Sequence, residues 1–149
     1  MFKLLLFLHL LTAIFAVGPL VGAATSASRA LRRPDAEAAT SAARIVRLYS
    51  YGSVVVVIIG MGLMSTTDPD TSQRVADFSN TWIWLSLLIW VAAVAVALAL
   101  LEPSLRKAAT EIGAGRPVST LTGRVAAGGG VVGLLYAAIV LLMVYRPGG

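Results

Sequence analysis

One histidine, His9, stands inside the apolar stretch "KLLLFLHLLTAIFAVGPLVGAA", residues 3–24. An imidazole can donate or accept a hydrogen bond, move a proton or ligate a metal. The helical repeat puts Thr12, Ala13 and Ala16 on its face, with Gly18 and Gly22 roughly opposite. At about 1.5 Å per residue, His9 lies on the order of 8 Å inside the apolar layer. Ser86 enters that layer from the same side to similar depth, and Met61 and Met64 end near the same level. Three chemistries follow, in order of weight. The imidazole hydrogen-bonds a neighbouring helix, touches a partner protein or its cofactor, or ligates haem or copper with Met61 or Met64 as the other ligand. A single histidine excludes bis-histidine haem within one chain, whereas histidine–methionine ligation is chemically allowed.

The elements that must carry these residues are membrane spans. Of 149 residues, 58% are hydrophobic and only 13% charged, against about 25% charged in a soluble domain. A chain this apolar must be solvated mainly by lipid. A bilayer core of roughly 30 Å needs about 20 apolar residues per helix. Four segments qualify: 3–24, 45–65, 81–101 and 124–145. The β-branched run 54–59 must also be helical, because an open strand in lipid leaves its backbone unpaired. The expected fold is therefore all-α, one integral-membrane four-helix bundle spanning residues 1–149. The first segment also has the layout of a signal peptide, but its length exceeds a usual signal core and it is expected to be retained.

Charge gives the orientation. Segments 25–48 and 102–127 hold Arg29, Arg32, Arg33, Arg44, Arg47, Arg106, Lys107, Arg116 and Arg124. Those nine basic residues face three on the other side, Lys3, Arg74 and Arg146. The positive-inside rule puts both termini outside. Arg29, Arg32, Arg33, Arg44 and Arg47 suit phospholipid headgroups and topology. The net charge of +5 forms no basic stripe interleaved with aromatics, so nucleic acid is not expected. With no cysteine, thiol catalysis, disulfides and cysteine-held clusters are excluded.

The connecting segments offer less. Asp35 and Glu37 after Pro34 suit the first turn of a helix. Asp68 and Asp70 lack the glutamate of a calcium loop, and "EIGAGRP" lacks the Gly-Lys-Ser/Thr of a phosphate loop and reads as a turn. Packing signals are stronger. Gly18 and Gly22 form one GxxxG pair and Gly129 and Gly133 another. Pro19 should kink helix one. Trp82, Trp84 and Tyr145 occupy one membrane interface and Tyr49 and Tyr51 the other, as anchors. Trp90 and Tyr136 lie deeper, where each polar tip needs a partner. Apart from His9, the ionisable side chains of the apolar segments lie near helix ends, such as Lys3 and Glu102, which argues against an independent enzyme, a proton pump or a transporter.

His9, the glycine nine residues on (Gly18), a basic loop and Trp82 opening helix three together resemble a bacterial family of small four-helix membrane proteins of unassigned function. The layout is more distantly similar to four-helix protoporphyrinogen oxidases and to the membrane domain of copper-resistance proteins, both of which use a helix-one histidine. This chain reads "FAVGP" where the oxidases place a Trp before the glycine, and "TWIWLSLLIWVAAV" where they place a lysine. The further metal-binding residues of the copper-resistance domains are missing. The Ala/Val/Gly/Arg bias is that of a high-GC bacterium. The expected function is a non-catalytic accessory subunit of a larger inner-membrane complex, such as the actinobacterial cytochrome bcc–oxidase supercomplex. It would contact other subunits and phospholipids and carry no cofactor of its own. The alternative is a haem- or metal-binding membrane oxidoreductase using His9, and a small-solute transporter comes third.

Overall fold

A computed structural model describes residues 1–70 and 72–147. It is a bundle of four long helices: α1 (Phe2–Arg32), α2 (Ala36–Met64), α3 (Thr81–Gly113) and α4 (Ser119–Tyr145). Each is long and apolar enough to cross a bilayer. An isolated bridge between Thr67 and Arg74 is the only β pairing among the described residues. The helices outrun the apolar segments that foretell them. The expected basic loops 25–48 and 102–127 are largely helical, with breaks only at 33–35 and 114–118. Lipid demands about 20 residues, but nothing in water forbids further turns, and Ala-rich stretches with Asp and Glu near the helix start favour them. Asp35 caps α2 by accepting the Ala38 N–H at 2.9 Å. Gly115, in the left-handed region (φ 69°), forms the 114–118 turn.

Two helices contain a single π-helical turn, Ala13–Val17 in α1 and Ala97–Leu101 in α3. Each includes the carbonyl four residues before a proline, Phe15 before Pro19 and Ala99 before Pro103. A proline ring collides with that carbonyl in a regular α-helix and leaves it without its donor. The wider turn carries the carbonyl aside, which is how α1 accommodates Pro19.

Packing is uneven along the bundle. The basic end is tight. The largest buried side chains there are Leu20, Val46, Leu101, Leu105, Val125 and Val132. Gly129 lies so close to α1 that an added Cβ would collide with the Ala24 carbonyl, and a Cβ on Gly133 would press on Thr25. This glycine pair joins α4 to α1 inside the bundle. The other pair does not: Gly18 and Gly22 are exposed, with no neighbour near an added Cβ. The opposite end, which carries both described chain ends and the 66–80 segment, is looser. There the first part of α1 (Phe2–Thr12) buries no residue and leans chiefly on α2, while α3 packs on α4.

Candidate functional site

The loose end holds a partly open cavity of about 290 Å³ between α1 and the other three helices. Its walls are mostly apolar, and His9 projects into it from α1. The ring has a defined seat. Nδ1 lies 3.1 Å from the Val56 carbonyl oxygen of α2. The imidazole lies directly over Gly60, where any Cβ would come within 2.9 Å of Cε1. Gly60 is thus the gap that lets the ring reach across to α2. Thr12 turns its hydroxyl inward to the Leu8 and His9 carbonyls, so it adds nothing polar to the cavity.

This contact fixes the tautomer. A carbonyl oxygen only accepts, so Nδ1 carries the proton. In the neutral ring Nε2 then holds a bare lone pair, for which no hydrogen bond is found among the described residues. A histidine anchored through Nδ1–H to a backbone carbonyl is the arrangement that aims Nε2 at a ligand or metal.

The rest of the lining comes from three helices and a loop. Met61 and Met64 of α2, Ser86 of α3 and Met143 of α4 all face the same cavity. Ser86 and Tyr136 are buried, and neither hydroxyl completes a hydrogen bond. Tyr136 turns its hydroxyl toward Ser53 without completing a bond. Ser53 is already engaged: it donates to the Ser50 carbonyl and accepts the Trp90 Nε1–H at 3.0 Å. Buried polar groups are normally satisfied, so two orphaned hydroxyls and one bare imidazole nitrogen around one apolar space are unspent capacity for a ligand.

Depth counting in the sequence places His9, Ser86, Met61 and Met64 at one level, and the structure brings all four to one cavity. It misses Met143, whose position depends on how α4 rotates, and Gly60, whose importance lies in the ring above it. Trp82 is the correction. Instead of anchoring at the interface it is buried, packed with Ala76 and Ile83 and roofed by the Arg146 guanidinium 5.7 Å from its ring centroid. Ala76, from the connection before α3, is buried against it. Trp84 and Tyr145 are exposed, as interfacial anchors require.

The donor set has a clear metal chemistry. An imidazole nitrogen with Met thioethers suits a soft ion or haem iron. At about 290 Å³ the cavity suits a single small ring better than a tetrapyrrole. No group of three His, Cys, Asp or Glu side chains that could hold a metal occurs among the described residues. In the 66–80 segment Asp68 instead accepts the Asp70 N–H at 2.9 Å, a local turn. Arg29, Arg32, Arg33, Arg44 and Arg47 are all exposed at the opposite, basic end.

No curated protein and no solved structure matches the chain. Residues 3–147 match the model of a family described as predicted integral membrane protein (DUF2269). Four apolar helices of membrane-spanning length and a family match over nearly the whole chain lead to one conclusion: this is an integral membrane protein that belongs to the DUF2269 family.

Proposed function

We propose that the protein is a membrane-embedded binding protein whose ligand docks on Nε2 of His9. The observation that carries this reading is the locked tautomer: Val56 holds the Nδ1 proton, and the free lone pair belongs to a residue lining the cavity. Ligand sites of this kind are mostly apolar with a few placed polar groups, which describes His9, Ser86 and Tyr136. The charge asymmetry supports an orientation with the cavity end away from the cytoplasm, in a bacterial inner membrane. It also supports Arg29, Arg32, Arg33, Arg44 and Arg47 as contacts for anionic headgroups. Native mass spectrometry of the protein released from its own membranes into nanodiscs tests the reading. A bound mass is expected in the wild type and absent in His9→Ala, with the fold retained. An empty wild-type protein, or a mass indifferent to His9→Ala, would overturn it.

A second reading, the non-catalytic subunit of a larger complex, draws on a different face. Gly18, Gly22 and Ser26 recur every four residues along α1 and are exposed. Ser26 donates its hydroxyl to the Gly22 carbonyl, so the stripe is smooth. Small residues of this spacing admit a second helix closely. A respiratory assembly is the partner that the sequence suggests for it. Gly22→Leu should then abolish co-purification of the partner while leaving the cavity ligand in place. Unchanged co-purification would exclude the stripe as the interface.

A further inference from the structure

We infer that the molecule docked on His9 is a lipid-soluble hydroxyarene, a phenol or hydroquinone headgroup that enters from the bilayer and donates an O–H to Nε2; this rests on the binding role proposed above. Three observations converge on it. The first is the route. At the end nearer the 66–80 connection, Ala76, Trp82 and Ile83 pack together and the Arg146 guanidinium lies over Trp82. The cavity is only partly enclosed. Leu10 and Met61 line it and are also 53% and 44% exposed on the outer surface of the bundle. Both residues belong to helices long and apolar enough to cross a bilayer, so an opening beside them would face the acyl chains. An aqueous ion does not arrive that way, but a molecule dissolved in lipid does.

The second observation is the hydrogen-bond sign. Neutral His9 offers only a lone pair at Nε2, so a carbonyl-bearing ring such as a quinone finds no donor there. A ring bearing a hydroxyl does. The third is the company. The Ser86 and Tyr136 hydroxyls are buried without partners. Each can both donate and accept, so a second oxygen on the ring can be met in either state. These are hard oxygen donors, poorly suited to completing a soft-metal site. The cavity, about 290 Å³, is at the small end of the roughly 300–1,000 Å³ range of ligand sites. It takes one substituted ring, leaving any lipid tail to run out past Leu10 and Met61.

Because the chain has one histidine, selective ¹⁵N-histidine labelling gives the imidazole signals of the site alone. The full chain in nanodiscs would be titrated with decyl-hydroquinone, its dimethyl ether and decyl-benzoquinone. All three partition into lipid, but only the first donates an O–H. The hydroquinone is expected to move the Nε2 signal saturably, with at least tenfold weaker effects from the other two. Leu10→Trp, which enlarges an exposed side chain lining the cavity, should slow or block the response, while the ligand-free Nε2 signal stays that of the wild type. Equal responses to all three probes would overturn the hydroxyl assignment and leave the binding role standing. No response to any arene, with a bound mass still dependent on His9, would overturn the ligand class alone. A response only to added Cu(I) or haem would transfer the site to a metal. No response to anything, with no bound mass, would remove the binding role itself.

Discussion

At the residue scale the decisive arrangement is small: one ring, one carbonyl and one glycine. His9 is held by Val56 and seated on Gly60. A hydrogen bond between helices in a membrane contributes on average only about 0.6 kcal/mol. The bond therefore orients the imidazole far more than it stabilises the bundle. Gly60→Ala should push the ring away, because its Cβ would stand 2.9 Å from Cε1. The expected outcome is a changed imidazole ¹⁵N pattern and loss of the bound mass, with the helix content by circular dichroism unaltered. Ser53 should behave differently. Ser53→Ala strands the Trp90 indole N–H inside the bundle at a cost of about 1–2 kcal/mol, readable in reversible SDS unfolding. Trp90→Phe in that background should recover most of it, since no donor is then left unpaired. The histidine and its depth are visible in the sequence. Its acceptor is not, because every residue has a carbonyl and only the helix crossing decides which one is near.

The elements divide into those that hold and those that admit. GxxxG spacing is legible in the sequence at both pairs, but their uses are opposite. Gly129 and Gly133 meet α1, whereas no described residue lies within 4 Å of a Cβ added at Gly18 or Gly22. The spacing says that a close approach is possible. Which surface makes it depends on how each helix is rotated in the bundle, and four strongly apolar helices leave rotation weakly encoded. The contrast is measurable. Gly129→Ala puts a methyl group into the Ala24 backbone carbonyl and should cost about 3 kcal/mol. Gly22→Ala meets nothing and should be neutral, or stabilising by up to about 1 kcal/mol through helix propensity. Parallel SDS-unfolding curves of the two variants check both signs. The prolines are similarly half-legible. Pro19 foretells disturbance of α1, and the structure resolves it as the π-helical turn Ala13–Val17. The second such turn, Ala97–Leu101, is not foretold, because the expected third span ends at 101, before Pro103.

Over the whole molecule, tight packing at the basic end and a splayed opposite end form one design. The glycine-mediated joint of α1 to α4 and the Leu20, Leu101 and Val132 core fix the basic half. That leaves Phe2–Thr12 free to stand off and wall a cavity instead of filling it. Composition alone reveals the membrane class, and hydropathy the four spans. The cavity is not legible, because it depends on the lean of α1, with the His9 ring seated over Gly60, and no residue type marks a space. Everything proposed for this end depends on the protonation of one ring. The most direct test is the imidazole ¹⁵N spectrum of the ligand-free protein in nanodiscs near neutral pH. The account predicts a neutral ring with the proton on Nδ1 and none on Nε2, and loss of that pattern in Gly60→Ala. A proton on Nε2 in the wild type would contradict it, because the lone pair meant for the ligand would then belong to Nδ1.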